Sequence, residues 1–161
     1  MKNIRSVYHD SQTEKRTIEE IGRMLSLIYR RQYEQIGDGL KKTGLTALHS
    51  VVLVNIYRHP GLNQNELAEL ISIEKATVSR ILMSLEPQKL IERQPDETDR
   101  RYNKLYVTRL GEEKVKESLD IQIHIWTVAL AAMPQPDREE LRARLAQLGE
   151  CFGFARRDKE E

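Results

Sequence analysis

Apolar residues recur with a helical period over most of the chain and give way once to two short apolar runs separated by a turn. From Thr13, the positions Ile18, Ile21, Leu25, Ile28, Gln32 and Ile36 share one stripe, which predicts a long first helix ended by Gly37, Gly39 and Gly44. Thr46 is placed to cap a second helix carrying Leu48, Val51, Val52 and Ile56, stopped before Pro60-Gly61. Asn63 and Glu66 fit a capping box for a third helix with Leu67, Leu70 and Ile71. Ser72-Ile73 forms a turn, and Val78, Ile81, Leu82 and Leu85 then lie at i, i+3, i+4 and i+7 of a fourth helix ended near Pro87. The runs Leu90-Ile91 and Leu105-Tyr106-Val107 flank Pro95, three acids and paired arginines, which predicts a β-hairpin with a basic tip. Thr108 caps a long helix with Val115, Leu119, Ile123, Trp126 and Leu130, broken by Pro134 and Pro136. Asp137 and Glu140 fit another capping box, opening a last helix in which Leu141, Leu145, Leu148 and Phe152 form a heptad-like seam. Residues before about Ser11 and from Arg156 onwards form polar or charged tails.

The predicted order is four helices, a hairpin and two helices: a mainly α chain with a small β-wing, in one domain over residues 1–161. Residues 44–108 can close into a winged helix-turn-helix, because a hairpin directly after a helix-turn-helix is a wing. The flanking helices, 13–40 and 109–155, carry apolar faces too long for that small lobe to cover. They call for a second copy of the chain.

Bulk composition narrows the picture only slightly. The chain has 161 residues, 39% hydrophobic and 32% charged, with a formal net charge of +1, so it does not announce a nucleic-acid binder by charge alone. Between Glu74 and Arg109, eight basic residues outnumber six acids, and their arrangement matters more than their sum. The single cysteine, Cys151, excludes a disulfide framework within one chain and suits a reducing compartment. His9, His49, His59 and His124 are scattered, so no metal site is predicted. Residues 1–10 lack the apolar core of a signal peptide, no stretch approaches a membrane span, and a cytoplasmic protein with no membrane partner is expected. No nucleophile motif, glycine-rich phosphate loop or catalytic constellation occurs, so neither enzyme activity nor a cofactor is expected.

With Val78, Ile81, Leu82 and Leu85 turned inward, Ala76, Ser79, Arg80 and Met83 point outward, with Lys75 and Thr77 on the shoulders. Small residues permit close approach to a major groove, hydroxyls can donate to phosphates or bases, and arginine can bind guanine in bidentate fashion. A solvated helix face has the same composition, and the hairpin that follows tips the balance towards DNA. In that hairpin Asp99 is spaced to hold Arg101 in one rotamer, and Arg100 and Arg101 can reach phosphates or a minor groove.

These residues resemble the MarR family of transcriptional regulators. The resemblance rests on Leu45-Thr46, on the run Pro60 to Ala68, and on Lys75-Ala76-Thr77-Val78-Ser79-Arg80. It continues through Leu85-Glu86, Leu90-Ile91-Glu92-Arg93, Asp99-Arg100-Arg101 and Val107-Thr108 with Gly111. It implies a homodimer whose terminal helices intertwine and whose recognition helices read a pseudo-palindrome in double-stranded DNA, more often as repressor than activator. Carried over residue by residue, Thr77, Ser79 and Arg80 would touch bases or phosphates, Arg101 steadied by Asp99 would enter the minor groove, and Arg100 and Lys104 would lie on phosphates. One departure is Lys89, where members commonly have glycine ahead of the apolar pair that opens the wing.

The resemblance also implies release from DNA by a small aromatic or lipophilic anion, for which Tyr29, Tyr33, His49 and Trp126 are candidate lining residues; packing aromatics are the competing reading of each. Cys151 reads as an inert interface thiol. The alternative function is a winged-helix adaptor that binds protein and does not read DNA. Arg80, Arg100 and Arg101 speak against it, since an adaptor has no use for cations aimed at two grooves.

Overall fold

The computed structural model describes residues 12–96 and 101–152. The polar tails and the centre of the wing turn, including Asp99 and Arg100, lie outside the described residues. The order is α1 (Gln12–Leu40), a 3-10 turn (Lys41–Thr43), α2 (Ala47–Arg58), α3 (Gln64–Leu70), α4 (Lys75–Leu85), β1 (Ile91–Pro95), β2 (Asn103–Val107), α5 (Arg109–Ala129) and α6 (Gln135–Cys151). Two compact units divide within α5, between Gln122 and Ile123.

In the first unit, α1 runs past two of the glycines expected to end it. Gly37 and Gly39 are helical, and the chain leaves the helix only after Leu40, with Gly44 in the left-handed region at φ 75°. Glycine costs a helix about 1 kcal/mol relative to alanine, a cost that packing on both sides can offset. Ile36 and Leu40 bury into the lobe, and a Cβ on Gly39 would lie 2.8 Å from Ile121 Cγ2 of α5, so the small residue lets the two helices pass.

The core is built from Leu40, Leu53 and Ile56, from Leu67 of α3, from Val78, Leu82 and Leu85 of α4, and from Leu105 of β2, all fully buried. Thr46 caps α2 and Asn63 caps α3, each with reciprocal side-chain and backbone hydrogen bonds. β1 and β2 pair antiparallel from Ile91 opposite Val107 to Pro95 opposite Asn103. The chain ahead of α3 joins as a third short edge: Gly61 N donates to Leu105 O at 3.0 Å, and Leu105 N donates to Leu62 O at 2.9 Å. The wing is thereby hydrogen-bonded to the loop that leads into the helix-turn-helix.

In the second unit, α6 begins at Gln135 with Pro134 as its cap residue, and no side chain caps it. The capping box expected from Asp137 and Glu140 therefore does not form. Proline lacks an N–H and its fixed φ suits a first helical turn, so Pro136 opens this helix, and Asp137 already lies inside its first turn. α6 buries none of its residues, and Leu141, Leu145, Leu148 and Phe152 are exposed.

Candidate nucleic-acid interface

The turn between α3 and α4 is closed by backbone bonds of the left-handed helix-ending type. Ser72 sits at φ 53°, its N–H reaches Glu69 O at 3.2 Å, and Ile73 N–H reaches Ala68 O at 3.0 Å. α4 then buries Val78, Ile81, Leu82 and Leu85, the stripe its spacing predicts. On its other side Lys75, Ala76, Arg80 and Met83 are exposed, and Thr77 and Ser79 are half-buried. Met83 is 66% exposed, a large apolar side chain held in water on an otherwise polar face. Arg80 Nη2 donates to Thr77 Oγ1 at 3.0 Å.

The end of α4 repeats the same device. Lys89 N–H reaches Glu86 O at 2.9 Å and Leu90 N–H reaches Leu85 O at 3.2 Å, with Lys89 in the left-handed region at φ 56°. This is the position where the resemblance leads one to expect glycine, and lysine adopts the glycine conformation there. Thr108 fastens the other end of the hairpin to the same spot. Its hydroxyl donates to Lys89 O at 2.6 Å and accepts from Gly111 N at 3.1 Å, and its N–H reaches Leu90 O at 3.1 Å. A Cβ on Gly111 would lie 2.0 Å from Leu90 O, so only glycine fits beneath the wing.

Arg93 of β1 is tied to Glu86 at 3.0 Å, which braces the wing base against the end of α4. Lys104, expected on phosphates, is half-buried and lies 3.6 Å from Asp96. Asp96 N–H also reaches Tyr102 O at 3.1 Å, where the strands part. The pairing of Asp96 with Lys104 is absent from the expectation built on Asp99. Arg101 is exposed at the edge of the described turn.

A second feature of the first unit is a cleft of about 160 Å³ lined by Tyr29, Gln32, Tyr33 and Ile36 of α1, by Ala47, Ser50, Val51, Val54, Asn55 and Arg58 of α2, and by Gln122. Of the four candidate lining residues, Tyr29 and Tyr33 are there, with ring centroids 6.2 Å apart. Burial, then the neighbouring Tyr29, holds the Tyr33 phenol above its ordinary value. His49 is not among the lining residues. It lies on the capping turn, where its Nδ1 accepts from Thr46 N–H at 3.1 Å, and burial holds its imidazole below the ordinary value. Trp126 belongs to the second unit, where it is partly exposed. Asn55, Arg58 and Gln122 went unread. Val51, Asn55 and Arg58 at i, i+4 and i+7 mark a second face of α2 that could have exposed two of them. Beneath the cleft, the fully buried Ser50 and Ser118 hydroxyls share a hydrogen bond, and Gln122 Nε2 approaches both at 3.4 Å.

Among the described residues no group of His, Cys, Asp or Glu could hold a metal, and no helix is long and apolar enough to cross a membrane.

A tight turn between α3 and α4, an outward polar face on α4 and a hairpin fastened behind it define a winged helix-turn-helix protein. The MarR family model matches residues 43–101. YybA, a helix-turn-helix type transcriptional regulator of Bacillus subtilis (strain 168), is 30% identical over 128 residues, 80% of this chain and 85% of its own. MdtR, a helix-turn-helix type transcriptional repressor of the same strain, is 25% identical over 136 residues, 83% of this chain and 88% of its own. A solved MarR transcriptional regulator from Methanosarcina mazei Go1 matches with a TM-score of 0.77 at 26% identity, over 82% of this chain and 95% of its own. The chain belongs to the MarR family of transcriptional regulators.

Proposed function

We propose that the protein is a homodimeric repressor that reads a pseudo-palindromic operator in double-stranded DNA. The observation that carries this reading is the outward face of α4 joined to a braced wing on one lobe. In this reading Lys75, Ala76, Ser79, Arg80 and Met83 face the major groove with Thr77 on the same helix face, Arg101, which Asp99 is spaced to steady, reaches the adjacent minor groove, and Arg100 and Lys104 serve phosphates. Dimerisation is supported by the exposed apolar positions Ile18, Ile21, Leu25 and Ile28 of α1 and Leu141, Leu145 and Leu148 of α6. Apolar stripes of that length are ordinarily covered. The repressor role is supported by the name of MdtR, and action on DNA places the protein in the cytoplasm.

The cleft takes a small aromatic or lipophilic anion, whose binding favours a spacing of recognition helices that does not fit the operator. Tyr29 and Tyr33 supply aromatic walls. Arg58 lines the cleft and has no ion-pair partner among the described residues, which leaves its charge for a ligand. Selection from a random duplex library, followed by titration of the winner at two salt concentrations, tests the whole reading. A palindrome with half-sites about one helical turn apart and steeply salt-dependent binding is expected. Arg101→Ala should then lower affinity and flatten the salt slope. Weak binding that ignores sequence, or indifference to Arg101→Ala, would favour the adaptor.

A further inference from the structure

We propose that Thr77 is a positioning residue for Arg80, and that the pair selects guanine at one fixed position of each operator half-site. This rests on the DNA-reading function proposed above. Arg80 Nη2 donates to Thr77 Oγ1 at 3.0 Å, one turn back along α4. Threonine is β-branched and confined to two χ1 rotamers in a helix, and Thr77 is half-buried while Arg80 is long and exposed, so the acceptor is the more restricted partner and the guanidinium the guided one. A flexible arginine must lose rotamer freedom on meeting a base; one already held loses less.

The identity of the acceptor matters as much as its place. Arg93, in the wing, is braced by a carboxylate, Glu86. Arg80 has no carboxylate partner among the described residues, and α4 contains no Asp or Glu. A neutral hydroxyl orients the fork without cancelling its charge. One hydrogen of Nη2 is engaged; the remaining N–H groups match the paired O6 and N7 acceptors of guanine. Ala76, at i−4 from Arg80, carries nothing beyond Cβ and leaves the approach open.

The full-length protein and its Thr77→Val, Thr77→Ser and Arg80→Lys variants are each taken through duplex selection and through competition between the selected operator and single-base variants. Valine keeps the shape and removes the acceptor; serine keeps the acceptor. Thr77→Val should lower the preference for guanine over adenine by about tenfold at one half-site position, a loss confined to that position. Thr77→Ser should restore that preference, and Arg80→Lys should abolish it at the same position. A uniform loss of affinity with a flatter salt slope in Thr77→Val would overturn the proposal, because Thr77 would itself hold a phosphate. An unchanged guanine preference in Thr77→Val would overturn it too. Absence of any sequence preference in the unaltered protein would instead sink the DNA-reading function on which the proposal rests.

Discussion

The DNA-facing lobe and the flanking helices use similar leucine and isoleucine stripes to different ends. In the lobe, Val78, Leu82 and Leu85 of α4 vanish into a core shared with Leu53, Ile56, Leu67 and Leu105. In α1 and α6 the stripes stay in water: Ile18 is 60% exposed and Leu145 44%. The lobe buries its apolar surface in its own core, whereas the flanks leave theirs exposed, where the proposed homodimer would cover it. A periodic stripe therefore identifies a helix equally well in both places, but only burial tells which partner it has.

The largest effect that can test this contrast lies in the lobe. Leu82→Ala should cost about 3 kcal/mol in chemical denaturation. A loss below about 1 kcal/mol would mean that the lobe core is not what holds the chain. Next, Leu145→Glu in α6 should leave helical content intact and shift sedimentation from dimer to monomer, with operator affinity falling at least about tenfold as the two half-sites are read independently. A dimer that persisted would show that the α6 stripe serves something other than assembly.

Smaller changes sharpen the picture within the lobe. Lys89→Gly should stabilise by about 0.5–1 kcal/mol, because a side chain in the left-handed region is strained and glycine is not. A rise in thermal midpoint with unchanged DNA affinity is the expected result. The smallest effect concerns His49. Its imidazole lies below the ordinary value of 6.5, so the folded chain binds fewer protons than the unfolded chain as pH falls below that value. The associated stability is complete above about pH 6.5 and declines towards acid. His49→Gln keeps a side-chain acceptor for the cap, as Glu or Gln does in a capping box, and should flatten the dependence; equal slopes in the two proteins would remove His49 from the account.

Much of the lobe was legible because its signals are local. Capping pairs such as Asn63 with Glu66, the i, i+3, i+4, i+7 stripe of α4 and the short apolar runs of the two wing strands all act within a few positions. The misreadings differ in cause, some from contacts distant in sequence and some from a competing local signal. Gly39 looks like a helix end until Ile121 arrives beside it, whereas Gly37 stays helical with open space at its Cβ position. Asp137 looks like a cap until Pro134 and Pro136 start the helix earlier. The cleft was half legible, since Tyr29 and Tyr33 stand out as aromatics while Arg58 and Gln122 look like ordinary surface. His49 stood out too, but its ring serves the backbone three residues before it.

Thr108 gives the lobe a mechanical property. Its hydroxyl joins the exit of α4, at Lys89, to the first turn of α5, and Gly111 is pressed against Leu90 from below. The hairpin has no pivot of its own at that joint. It is the short arm of a lever whose long arm is α5. Gln122, at the cleft, lies about 16 Å along that helix from Gly111. A tilt of about 5° about the cleft end would carry the root of the wing by about 1.4 Å over that length, roughly half the length of a hydrogen bond.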